Sequence, residues 1–161
     1  MIELASSGTL MTIAQLSLAI IGFTGVVLVF GRRVESQWTG YERAQFYAMV
    51  VTPLTALFCS FIPGLLALEI SSEQTIWRLS NLFLGTLHLI NFIGFFLVVK
   101  KTGTISSIHK ITAFIGFLFI VSQFLAAALV LPWLEMIFIL GLLQQLAIGI
   151  QNFVLLLSVK D

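Results

Sequence analysis

Charge is what this chain has least of. Only 9% of its 161 residues are Asp, Glu, Lys or Arg, where a soluble domain carries roughly 25%. No water-facing surface can be assembled from so little. The net charge of +1, without a basic stripe, gives no grounds for a nucleic-acid partner. Cysteine occurs once, as Cys59 within an apolar run. No intramolecular disulfide can form, cysteine usage identifies no compartment, and a small buried hydrophobe is the ordinary reading of such a residue.

Absences also narrow the chemistry. No Asp, Glu, Lys or Arg occupies the middle of any apolar run. Proton pumps, ion-coupled transporters and voltage sensors use such groups within the membrane, so these classes are disfavoured. Glycosyl or phosphoryl transfer and proteolysis by paired aspartates lack their acids in the same way. There is no Gly-rich phosphate loop, no metal-ligand cluster and no Ser–His pair with an orienting carboxylate. The balance is against an enzyme, and no catalytic set, metal or cofactor is expected.

What remains is hydrocarbon. The chain is 59% hydrophobic with a mean hydropathy of +1.10, and its fifteen Phe and twelve Gly suit helices packed in lipid, where Gly is commoner than in soluble helices. A spanning helix needs about 20 mostly apolar residues. Charge-free runs at 4–31, 44–68, 79–99, 111–134 and 136–159 supply five. The expected fold is all-α, a polytopic transmembrane bundle in one integral membrane domain over 1–161, with spans at 8–30, 44–69, 77–99, 108–131 and 134–159. The break between the last two rests on Pro132. One helix from Ser107 to Lys160 would be about 80 Å long against a hydrocarbon core of about 30 Å.

Local signals support these limits. Thr39 with Glu42, and Ser71 with Gln74, read as capping boxes, and Ser106 or Ser107 can cap the fourth span. Pro53 and Pro63 fall inside the second span, where each frees a carbonyl that Thr52, Thr55 or Ser60 stands near enough to satisfy. Trp38, Trp77 and Trp133 are placed as interfacial anchors. The start "MIELASSG" has Glu3 and no positive residue before the apolar run, so it does not read as a signal peptide.

Orientation follows from the basic residues. Arg32, Arg33, Arg43, Lys100, Lys101, Lys110 and Lys160 share one side of a five-span chain, with only Arg78 opposite. The positive-inside rule puts the amino terminus outside and the carboxyl terminus in the cytoplasm, in a membrane read as the bacterial inner (plasma) membrane. Arg32, Arg33, Lys100 and Lys101 form a membrane-surface basic set that can meet anionic lipid heads.

Polar residues within the spans carry the functional question. Gln144, Gln145, Ile148, Gln151 and Asn152 share one face of the fifth span, near mid-membrane, where an unpaired amide in lipid costs several kcal/mol. Gln15 with Thr12, Ala19 and Gly22, and Gln123 with Thr112 and Gly116, make thinner seams that allow close helix contact. His88 and Asn91 lie in the third span. Its imidazole reads first as a neutral group bonded to an amide, and a bis-histidine cofactor site is disfavoured because His109 lies about 30 Å farther along the chain direction.

Three functions compete. The first is a homo-oligomeric, channel-like or transport-related protein with the span-5 amides on a pore or inter-subunit face. The second is a non-permeating accessory or scaffold subunit docked on a larger membrane complex. A lipid-modifying or cofactor-binding enzyme using His88 comes third. The expected partners are the lipid bilayer, further copies of the chain, or that larger complex.

Overall fold

Apolar runs of spanning length fold as helices because a helix satisfies its backbone polar groups internally, and side-chain caps fix where some of them begin. In the computed structural model, which describes residues 4–30, 38–102 and 107–157, these runs give α1 (Ser7–Phe30), α2 (Gly40–Leu66), α3 (Glu73–Thr102), α4 (Ser107–Ala127) and α5 (Leu134–Leu157). All five are long and apolar enough to cross a membrane, so the chain is an all-helical, multi-pass integral membrane protein.

The caps explain most differences from the expected spans. Thr39 Oγ1 accepts from the Glu42 amide at 3.2 Å while Glu42 Oε2 accepts from the Thr39 amide at 2.7 Å. This closed capping box starts α2 four residues before the apolar run. At α3 the cap is one residue later than Ser71 suggests, because the Thr75 amide donates to Ser72 Oγ at 3.3 Å. α4 ends early, at Ala127. Leu129 takes a left-handed conformation (φ 61°), and the Val130 amide reaches back to the Leu125 carbonyl at 2.9 Å. This is the turn that glycine usually makes after a helix. A Cβ there costs roughly 1–2 kcal/mol, so Leu129→Gly is expected to raise the unfolding midpoint in detergent, with an unchanged or lower midpoint counting against the strain.

Arg78, the one cation on the wrong side of the charge count, has a structural task. Its Nε donates to the Ala127 carbonyl at 3.0 Å, placing a positive charge at the negative end of the α4 dipole. Trp77 is corrected from interfacial anchor to core residue: it is 3% exposed and packs against Phe138 at 5.7 Å between ring centroids. Trp133 remains exposed. The hydroxyls of Thr52, Thr55 and Ser60 do not serve the carbonyls freed by the two prolines. They bond to Ala48, Val51 and Ala56, each four residues back, whereas the prolines free Met49 and Cys59.

α2 is the hub, packed on α1, α3 and α5, and α4 rests against α3 and α5. The hydrophobic core is concentrated in one half of this bundle. Most of its members, among them Cys59, Ile76, Trp77, Leu84, Phe138 and Leu142, come from the half that contains Arg78, and Ala56 and Leu146 carry it to mid-depth. Toward Lys100 and Lys101 the packing gives way to polar side chains and space.

Candidate functional site

The amide face of α5 turns into that second half. Gln145 and Asn152 are buried, at 0% and 2% exposure, and Gln144, Ile148 and Gln151 are half-buried. Two of these residues, which the sequence alone points toward an axis between subunits, have hydrogen-bond partners on α4 of the same chain. Thr112 Oγ1 on α4 lies 2.6 Å from Gln151 Oε1, and Asn152 Oδ1 lies 3.4 Å from a ring nitrogen of His109. α4 thus partners Gln151 and Asn152 within the chain. A helical wheel of α5 cannot reveal this, since it says which residues share a face but not which helix meets them.

His109 is the largest surprise. Its ring is held by the Tyr41 hydroxyl at 2.8 Å from Nδ1, by Asn152 on Nε2, and by stacking on Phe95 at 5.6 Å. α3 and α4 pair about residue 102. Positions 95 and 109 are equidistant from it, and so are 88 and 116, where a Cβ on Gly116 would stand 3.7 Å from His88 Nε2. The two histidines therefore differ in depth by two turns, about 10 Å, and not by the 30 Å that counting along the chain suggests. α4 runs back along α3, so chain distance is not depth.

Gln123 marks the upper edge of this region. It is fully buried and lies beside His88, between Gly85 of α3 and Gly141 of α5. A Cβ on Gly85 would come within 3.2 Å of Gln123 Cβ, and one on Gly141 would collide with Gln123 Nε2. Gln145 follows Gly141 by one turn, and His88 follows Gly85 by almost one, so both sit just below Gln123. Lower still, Asn91 Nδ2 donates to Thr55 Oγ1 at 2.9 Å, tying α3 to α2.

These residues enclose a chamber of about 660 Å³ between α2, α3, α4 and α5. Two polar stations stand in it. The deeper contains His88, Gln145 and Asn91; the shallower contains His109, Asn152 and Thr112. Ala48, Val51, Phe92, Phe95, Ala113 and Ile148 supply apolar walls around them. Tyr47 and Val51 of α2, and Ile90, Gly94 and Val98 of α3, line the chamber and are also exposed. The mouth thus lies between α2 and α3 and faces the lipid side of the bundle, with exposed Lys110 at its shallow edge.

The stations differ in how far they are satisfied. At the shallow one, His109 has partners on both nitrogens, and Asn152 Nδ2 donates to the Ile148 carbonyl at 2.9 Å. At the deep one, both amide atoms of Gln145 and Nδ1 of His88 are buried without a hydrogen bond. A buried polar atom left so costs about 1–3 kcal/mol. His88 and Gln145 both line the chamber, whereas Gln123, whose amide atoms are likewise without a hydrogen bond, does not.

Other polar residues from the sequence are scattered. Gln15, with Thr12, Ala19 and Gly22, lies on the exposed face of α1, away from the chamber. Lys100 and Lys101 occupy the last turn of α3, exposed and favourably placed for its dipole. Arg32 and Arg33 lie outside the described residues. Among the described residues no group of three His, Cys, Asp or Glu side chains is arranged to hold a metal. Sequence reasoning missed Tyr41, Phe95 and the chamber itself. The seven-residue steps His88–Phe95 and His109–Gly116 would have exposed the register of the α3–α4 hairpin. Comparison with protein-family models, with curated proteins and with solved structures finds no match.

Proposed function

We propose that this protein binds a small membrane-borne molecule in the chamber between α2, α3, α4 and α5, as a transport-related or carrier protein of the bacterial plasma membrane. The observation that carries this reading is the division of the bundle, with a half where the hydrophobic core is concentrated and a half whose side chains surround about 660 Å³. That volume falls within the roughly 300–1,000 Å³ of small-molecule sites, and apolar walls with a few convergent polar groups are their usual make-up. A water-filled pore would need polar lining along its length, and the walls between the stations are Phe, Val, Ala and Ile. Grouping of the basic residues puts the lysine end, and with it the mouth, toward the cytoplasm. Native mass spectrometry after extraction in mild detergent tests the reading. A bound lipid-sized molecule is expected to remain on the chain, and a spectrum of bare protein at every detergent strength would overturn it.

Self-association, or docking on a larger membrane complex, has its own support in α1. Gln15 is exposed about 12 Å from the start of the helix, where lipid offers an amide no partner. Ala19 and Gly22 beside it are exposed too, and a Cβ on Gly22 meets nothing within 4 Å, which leaves room for a second helix. Interhelical bonds of this kind contribute about 0.6 kcal/mol on average. Gln15→Leu is therefore expected to weaken a dimer severalfold in cross-linking from native membranes. Equal cross-linking in wild type and variant would remove α1 as the contact.

A further inference from the structure

Within the chamber, and resting on its reading as a binding site, the unpartnered atoms select among membrane-borne molecules. We infer that the occupant is an uncharged lipid whose head carries a carbonyl or hydroxyl oxygen, docked on Gln145 and His88 with its chain leaving between α2 and α3. Gln145 is 0% exposed with neither amide atom hydrogen-bonded, and His88 is 2% exposed with Nδ1 unpaired. Both line the chamber. An amide offers a donor and an acceptor, so the matching head is one that accepts, donates, or does both.

Charge decides the class. Among the described residues no Asp, Glu or Arg lines the chamber, and the one lysine that does, Lys110, lies at the exposed shallow edge. An anionic head drawn to Gln145 would be taken deep into apolar surroundings without a counter-ion, which is strongly unfavourable. A cationic head meets no carboxylate among the described lining residues. Only a neutral head gains hydrogen bonds at the deep station without losing charge solvation. Water alone would satisfy the same atoms, but it leaves the apolar walls uncovered and makes lipid binding indifferent to Gln145.

The mouth accounts for the rest of the molecule. The exposed lining residues Tyr47 and Val51 face Ile90, Gly94 and Val98 across the gap between α2 and α3. An acyl or prenyl chain passing there stays in hydrocarbon throughout. Quinone rings and long-chain alcohols share this head chemistry, and only the ring would also stack on an aromatic side chain, Phe92, about one turn from His88 on α3.

Direct binding to the full chain in detergent separates the cases, with dodecanol, a decyl-substituted benzoquinone and dodecanoate as probes of similar length. Dodecanol and the benzoquinone are expected to bind at least tenfold more tightly than dodecanoate at neutral pH. Gln145→Leu is expected to weaken both by about tenfold, the scale of one hydrogen bond, and His88→Leu provides a second variant at the same station. Tighter benzoquinone than dodecanol binding would assign the ring, and the reverse the alcohol. Dodecanoate binding as tightly as dodecanol, or dodecanol binding left unchanged by both variants, would overturn the assignment of the head. If chamber-filling Ala113→Trp leaves binding of all three probes unchanged, the chamber itself is not the site, and that result is distinct from a failure of the head chemistry alone.

Discussion

Gly149→Ala should cost this protein more stability than any other single-methyl change, with a loss of about 1–3 kcal/mol from overpacking. The added Cβ would stand 2.6 Å from Pro53 Cγ, 2.9 Å from Pro53 Cδ and 3.3 Å from Thr52 Oγ1. A proline ring cannot rotate away. It is bonded back to its own backbone nitrogen, so relief requires α2 and α5 to separate, and these two helices form the most extensive contact in the bundle. Gly141→Ala meets the amide end of Gln123 instead, a side chain able to turn, and is expected to cost less. Gly64→Ala meets nothing within 4 Å and should be neutral or stabilising by up to about 1 kcal/mol, the usual helix-propensity gain. Unfolding midpoints in one detergent check the ranking. Gly149→Ala as stable as Gly64→Ala would mean that α2 and α5 are not held at this distance.

Filling the chamber should abolish retention of its occupant while leaving the fold intact. Gly94 lies on the chamber wall, is exposed, and would meet nothing within 4 Å on gaining a Cβ. Gly94→Trp can therefore be accommodated by space already present, and it removes a glycine from the middle of a helix, which is favourable in itself. An indole fills only part of about 660 Å³, but from Gly94 it stands in the mouth. The lipid-sized mass retained by the wild type is expected to fall by at least about tenfold, since the occupant loses its passage beside α3 and part of its enclosing wall. Ala113→Trp approaches from α4 on the facing wall and should act alike. If both variants fold as the wild type and keep the bound mass, the molecule lies elsewhere on the surface.

Five helices were legible in the sequence because the hydrocarbon imposes a length and forbids charge, and runs of residues report both directly. Gln145 and Asn152 were legible as buried for a similar reason, since depth alone makes an amide's exposure to lipid untenable. What buries them was not. That depends on the register of α4 against α3 and α5, set by side-chain contacts between segments far apart in the chain, such as Thr112 with Gln151, 39 residues on. Gln15 shows the reverse case. The same argument assigns it a protein partner, yet the described chain turns it outward. His109 was misplaced because depth was counted along the chain, although α4 runs back along α3 and its ring lies inside against Phe95 and Tyr41. Trp77 misled for another reason. Tryptophan near the end of a span is commonly interfacial, but this one faces the core and donates from Nε1 to Glu73 Oε1 at 3.4 Å.

The central claim is that the chamber, open to the lipid side between α2 and α3, is the place where this protein holds a membrane-borne molecule. Photolabelling in lipid nanodiscs with a long-chain alcohol bearing a diazirine near its head, followed by mapping of the modified peptides, tests it most directly. The account predicts labels concentrated on the chamber walls at Phe92, Phe95, Ile148 and Gln145, and suppressed by Ala113→Trp. Labels spread over the exposed outer residues Phe58, Phe61, Phe114 and Phe117, with the chamber walls unmarked, would contradict it.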